Sequence, residues 1–409
     1  MKKKLIVLVV LLFVTTIYFV FYHKDKTLKF VPENADVLVL IDVKKCTRQY
    51  ISSLAMHPSQ WLKEKNKNEN VISIQKSGVK IPDFLPIFHI VNTKFSEWYS
   101  VVEIEDEQKF LNYLKQQKFI HKGKNRFQKD QLFLTIDGKK CIIGTSDLAF
   151  KNISNSIASK KENYPVTSFI HGSLGSISFI SGSRTRNFSI ELNADDIEIK
   201  DELNAKDFHT VISKLQQKES FLETELDSKN LGNLTSFFNK NFVDSSQITH
   251  VKATADLEQV NDTIITYGYD DNFNEIEKKS FQKIIQPNYV MALQSSDPQK
   301  TEQLFQHKKW INTQNQFTAI PFQPNVIEKN KSGFTIQSTR KAVQLSSKLN
   351  ENYIFVRNTT LLSSSFKSLT ADEKKIISDI DYIFYGNKSE DYYVKLKFKK
   401  EELPLILRW

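Results

Sequence analysis

Between Ser173 and Lys200 the chain reads SLGSISFISGSRTRNFSIELNADDIEIK, with apolar and polar residues alternating between turn signals. Side chains two apart on an extended strand share a face, so this period suits strands with one buried face and no helix. Antiparallel strands joined by short turns are expected, which commits the middle of the chain to sheet.

Elsewhere the pattern alternates. Strand-like runs occupy Asp36 to Asp42, Tyr99 to Ile104, Cys141 to Gly144, Thr249 to Ala255, Thr263 to Tyr269, Tyr289 to Leu293 and Tyr353 to Arg357. Helical stretches run from Lys44 to about Met56, ahead of Pro58, and from Asp106 to about Gln117, with Phe110, Leu111 and Leu114 on one face; another follows Ser146. Near the end, DYYVKLKFKK sets Tyr392, Val394, Leu396 and Phe398 against Tyr393, Lys395, Lys397 and Lys399, which reads as a half-buried strand with a basic outer face.

One core rarely serves a chain of this length, 409 residues, so two lobes are expected. YSVVEIEDEQKFLNYLKQQKFI from Tyr99 and YVMALQSSDPQKTEQLFQHKKWI from Tyr289 align as strand, Asp, helix, then Lys, aromatic and Ile. Asp106 and Asp297 would each accept bonds from free N–H groups at a helix start, and Pro298 fits a first helical position. The match points to an internal duplication with a repeat of about 190 residues. The resulting expectation is an α+β chain with a leader and transmembrane helix over residues 1–27, a strand-rich lobe over 28–202 and a second over 203–409.

The anchor is read from Leu5 to Tyr22, an uncharged and largely apolar run behind Lys2, Lys3 and Lys4. At about 1.5 Å per residue it just covers a hydrocarbon core of about 30 Å. It closes on Tyr18, Phe19, Val20, Phe21 and Tyr22 rather than on small residues, which suits an interfacial aromatic belt better than a signal-peptide cleavage site. The expected location is the inner, cytoplasmic membrane, single-pass, with the bulk of the chain outside the cytoplasm.

Pro32, Asn34, Ala35 and Asp42 in VPENADVLVLIDVKK resemble the start of the mature part in uncharacterised envelope proteins of Bacteroidota. The resemblance covers about 15 residues and implies strand-rich α+β lobes behind a membrane signal, with no catalytic residues to carry over. Many such proteins have a lipoprotein cysteine after the apolar run. Here the first cysteine is Cys46.

Lys and Arg number 57 against 47 Asp and Glu, a formal charge of +10. In an envelope setting this favours anionic lipid, an acidic polymer or another envelope protein as partner, and no nucleic acid is expected. The densest positive run, KQQKFIHKGKNRFQK, interleaves Phe119 and Phe127 with Lys115, Lys118, Lys122, Lys124, Arg126 and Lys129. Those residues and the strand face of Lys395, Lys397 and Lys399 are the candidate anionic-partner sites; the alternative is the solvated end of a helix.

No catalytic, cofactor or metal site is expected. Only 11 glycines occur, with no G-x-G-x-x-G, and the Gly-Lys pairs at Gly123 and Gly138 lack the Ser or Thr of a phosphate loop. Ser77-Gly-Val-Lys80, Ser228-Lys-Asn230 and Lys331-Ser-Gly333 follow the order of a penicillin-interacting serine enzyme, which sets a cell-wall hydrolase or transferase as the rival reading. Gly78 and Pro82 argue against the helix start that this Ser and Lys need. His171 to Gly175 reads as a turn, and Asp270 to Glu277 as a solvated loop leading into a helix rather than a calcium loop. His89, flanked by apolar residues, suits a satisfied core residue. Cys46 and Cys141 could pair in an oxidising compartment, or each could pack as a small hydrophobe. A chaperone or scaffold would need an exposed apolar groove that sequence does not display.

Overall fold

The computed structural model describes residues 22–60, 73–159, 163–201, 208–237, 247–269, 273–320, 325–366, 369–389 and 391–408. The apolar run lies outside these except for Tyr22, and no described helix is long and apolar enough to cross a membrane. Sheet dominates, and the chain divides into two compact units, residues 1–202 with 401–409, and 203–400.

Besides four two-residue strands, the described residues of the first unit form nine strands: β1 (Ala35–Asp42), β2 (Phe84–Ile90), β3 (Tyr99–Ile104), β4 (Arg126–Lys129), β5 (Leu132–Asp137), β6 (Lys140–Gly144), β7 (Gly175–Ser181), β8 (Arg184–Leu192) and β9 (Asp196–Asp201). All pairings are antiparallel, in the order β9, β8, β7, β1, β2, β3, β6, β5, β4. The Ser173–Lys200 alternation is thus the β7–β8–β9 meander. Helices α1 (Val43–Met56), α2 (Glu107–Gln116) and α3 (Phe150–Ser159) lie in the connections. Leu38, Leu40, Phe88, Tyr99, Phe150 and Ile153 form one core, and Val102, Phe110, Leu114, Leu134 and Cys141 another.

The second unit also has nine: β10 (Leu222–Asp227), β11 (Ile248–Tyr269), β12 (Glu275–Ser295), β13 (Gln316–Phe317), β14 (Asn325–Asn330), β15 (Gly333–Ser338), β16 (Asn352–Arg357), β17 (Ile380–Lys388) and β18 (Asp391–Phe398). Their antiparallel order is β18, β17, β16, β10, β11, β12, β15, β14, β13. Each strand occupies the place of the one nine earlier. Helices α4 (His209–Gln216), α5 (Ser228–Phe237), α6 (Pro298–His307), α7 (Thr360–Ser365) and α8 (Ala371–Asp379) complete the unit.

The junctions repeat in detail. Asp106 accepts the Lys109 N–H at the start of α2, and Asp297 those of Gln299 and Lys300 at the start of α6. Four and eight residues further on, Phe110 and Leu114 are buried in one unit, Thr301 and Phe305 in the other. Two residues past the end of each helix lies a lysine of positive φ, Lys118 at 63° and Lys309 at 56°, followed by a half-buried aromatic. Asp42 and Asp227 likewise cap α1 and the start of α5.

Four expectations need correction. Residues 401–409 fold with the first unit, where the Leu405 N–H donates to the Ala194 carbonyl and Arg408 pairs with Asp195. The runs Thr249–Ala255 and Thr263–Tyr269 belong to one strand, β11. The loop expected to lead into a helix at Asp270–Glu277 leads into β12 instead, with residues 270–272 outside the description. The face of Tyr393 and Lys395 is not an outer one: Tyr393 packs with Phe208 and Phe384, and Lys395 on the same side is buried with it.

Candidate functional site

The connection between the second and third strands distinguishes the units. In the first, residues 91–98 join β2 to β3. In the second, β11 leaves β10 after Ala255 and β12 joins β15 only from Val290, yet β11 and β12 stay paired from Asp256↔Asn288 out to Tyr269↔Glu275. The result is a two-stranded arm. Its outer part, Asn261–Tyr269 with Glu275–Lys283, has mainly exposed side chains and spans about 30 Å at about 3.4 Å per residue.

Residues opposite one another in an antiparallel pair point to the same face. Thr263 faces Phe281, Ile265 faces Lys279, Tyr267 faces Glu277 and Tyr269 faces Glu275, so Phe281, Ile265, Tyr267 and Tyr269 line one side of the arm. Their relative exposures are 74%, 47%, 68% and 69%. Phe273, beyond the end of β11, is 86% exposed. On this face uncovered apolar side chains, most of them aromatic, lie beside Thr263, Lys279, Glu277 and Glu275, a mixture suited to an interface. An isolated two-stranded ribbon is marginal in water, so covering this face would also stabilise the arm.

The base of the arm is braced. Asp256 pairs with Lys341 at 3.7 Å and Glu258 with Arg340 at 3.3 Å, while the Asn288 amide donates to Glu258 at 2.8 Å. Arg340 and Lys341 belong to a strap, residues 339–351, which has no regular structure and is held down by two buried carboxylates of β10. Glu223 accepts hydroxyl bonds from Ser220 and Ser346, each 2.7 Å. Glu225 accepts the N–H groups of Leu349 and Asn350 at 2.9 and 3.0 Å and pairs with buried Lys252 at 3.1 Å. Burial pushes the Glu225 carboxyl up, but the Leu349 N–H and Lys252 outweigh it and hold the group below its ordinary range. His250, 3.5 Å from Glu225, is held below the usual imidazole value by burial and by Lys348. The sequence reading missed this network, because FLETELD alternates as a half-exposed strand would. The available signal was Lys252 and Thr254 alternating with Val251, Ala253 and Ala255 on the neighbouring strand.

Within the first unit, Ser77 and Lys80 of the serine set are engaged separately. Ser77 is buried and donates to the Ile74 carbonyl at 2.6 Å, whereas Lys80 is exposed and pairs with Glu103 at 3.0 Å. Gly78 between them takes φ +82°, and its carbonyl accepts the N–H groups of Glu105 and Asp106. Ser228 and Lys331 belong to the other unit, at the start of α5 and in the β14–β15 turn. Gly333 is required there, since a Cβ would lie 1.9 Å from the Leu293 carbonyl oxygen. A cavity of about 150 Å³ in the same unit has its lining charges paired, Lys29 with Asp25 at 3.1 Å, Lys80 with Glu103 at 3.0 Å and Asp83 with Lys44 at 3.0 Å.

The remaining candidates resolve as local structure. Ser173 is buried and donates to the Gly175 carbonyl in a turn into β7. His89 is buried, with Asp36 at 2.7 Å and the Lys94 carbonyl at 3.1 Å from its ring nitrogens. No group of His, Cys, Asp or Glu suited to a metal occurs among the described residues. Both cysteines are free: Cys46 is half-buried on α1, and burial pushes the Cys141 thiol up to about 12.

Among the basic candidates, Lys115, Lys118, Lys122, Lys124 and Arg126 are exposed around β4 and the two-residue strand Ile120–His121 that pairs with it, with Arg126 3.5 Å from Asp147. Lys129 is half-buried, 6.0 Å from the Phe119 ring centre. Lys395 is buried, Lys397 half-buried and Lys399 exposed, all in the second unit, so the two basic segments belong to different units. Compared with known proteins, the chain matches no family model, no curated sequence and no solved structure.

Proposed function

We propose that the chain is a membrane-anchored envelope protein with a binding or assembly role, built from two duplicated strand-rich units and engaging its partner through the β11–β12 arm. The anchor is the Leu5–Tyr22 run, with the bulk of the chain outside the cytoplasm. One observation carries the binding role: the first unit closes the equivalent connection in residues 91–98, so the fold does not need the arm. An elaboration that folding does not require, with aromatics on an uncovered face, is best explained by what it contacts. Its unpaired outer edges would also allow strand addition by a partner. Replacing Tyr267, Tyr269 and Phe281 together by Ser tests the reading. Partner capture from the intact membrane should be lost while the protein's melting temperature is kept; retained capture contradicts the role given to the arm.

A second surface is favoured by exposure. Lys115, Lys118, Lys122, Lys124 and Arg126 form a basic rim around β4, suited to anionic lipid or an acidic envelope polymer.

A further inference from the structure

We propose that the first unit rests directly on the bilayer surface, with α1 as an interfacial helix among anionic lipid headgroups. The inference depends on the anchor reading above and adds where the body sits.

The residues after the apolar run are fastened to the body. Lys24 forms an ion pair with Asp42, and the Asp25 N–H donates to Asp83 at 2.7 Å. Lys44 donates to the His23 carbonyl and pairs with Asp83 at 3.0 Å. The Arg48 guanidinium lies 4.8 Å from the centre of the Tyr22 ring, which ends the apolar run. An extended linker would reach about 3.3–3.6 Å per residue, but here no slack separates the run from α1. Wherever Tyr22 meets the headgroups, α1 meets them too.

The helix suits that position. VKKCTRQYISSLAM has three basic residues, no acidic one and no buried residue. A helix serving only a protein core would bury an apolar stripe, whereas here Ile51 and Met56 are 45% and 75% exposed. Tyr22, Arg48, Ile51, Ser52 and Ala55 line one shallow depression. Lys45 lines the same depression, which sets basic groups beside Tyr22 and Ile51, the groups that would reach the acyl boundary. Basic and apolar groups combined in this way bind anionic interfaces.

The test uses the full-length protein reconstituted in phosphatidylglycerol-containing vesicles, with Cys46→Ser and an environment-sensitive fluorophore on Ser52→Cys. A spin label on the lipid headgroups should quench the fluorophore, and adding Arg48→Glu and Ile51→Asp should abolish quenching while the protein stays in the carbonate-washed vesicles. Retention without quenching in the parent protein overturns the docking alone. Release into carbonate overturns the anchor and the docking together. Quenching that persists in the charge-reversed variant overturns the assignment to α1.

Discussion

Replacing Glu225 by Leu should release the strap that braces the arm. The substitution removes the acceptor for the Leu349 and Asn350 N–H groups and leaves Lys252, itself buried, with only the Ser347 carbonyl at 2.6 Å. Breaking a buried pair by removing one partner costs about 3–5 kcal/mol, a large share of the roughly 5–15 kcal/mol that stabilises a domain. Adding Lys252→Met removes the orphaned charge, so the double variant should recover at least half of the loss. Urea unfolding followed by a second-unit probe gives the energies, and amide exchange over residues 339–350 shows whether the strap has come free. Exchange should accelerate there and at the arm base, where Arg340 and Lys341 pair with Glu258 and Asp256. A loss below about 1 kcal/mol with unchanged strap exchange would refute the role given to this network.

Three further outcomes are expected. Acidification should destabilise the second unit. Despite burial, Glu225 and Asp227 are held low by hydrogen bonds from Leu349 and Asn230, so their contribution is complete above the ordinary carboxylate range and disappears as pH falls through their lower folded values. His250 takes up its proton at a lower pH in the folded protein than in the unfolded chain, whose imidazoles titrate at about pH 6.5, so it acts in the same direction, and a melting temperature that holds or rises between neutral pH and about pH 3 would contradict this. Iodoacetamide at mildly alkaline pH should modify Cys46 before Cys141, which is buried with its thiol pushed up to about 12; mass spectrometry showing early Cys141 labelling or a Cys46–Cys141 bond would count against the packing described. Replacing Lys122, Lys124 and Arg126 by Ser should weaken binding to anionic vesicles or acidic polysaccharide, in a salt-dependent way, while changing stability by less than about 0.5 kcal/mol. Unchanged or salt-insensitive binding would leave the positive excess as compositional bias.

Much of the fold was legible because its signals are local. Asp106 and Asp297 mark their helix starts, and the period-two run from Ser173 supplies three strands. Lys395 deceived because residues at alternate positions share a face: once Tyr393 packs with Phe208 and Phe384, its neighbour two along turns inward as well. β10 hid its role because Glu223 and Glu225 look like a solvent face until the strap, more than a hundred residues later, covers them. The arm was only half visible. Its outer part is mainly exposed and has no burial to impose an alternation, and the polar pair Asn261 and Asp262 reads as a break between two strands.

The arm, rather than the sheet, is proposed to make the protein's contact. Val260 and Ile284 lie directly opposite one another, so the arm can be closed there by a two-residue Asn-Gly turn in place of residues 261–283. Measuring the mass of the full-length protein's assembly after gentle membrane extraction, with and without this replacement, addresses the claim most directly. The shortened chain should keep its melting temperature and run at the mass of the chain alone, while the parent carries additional mass. An assembly of the same size from both would contradict it.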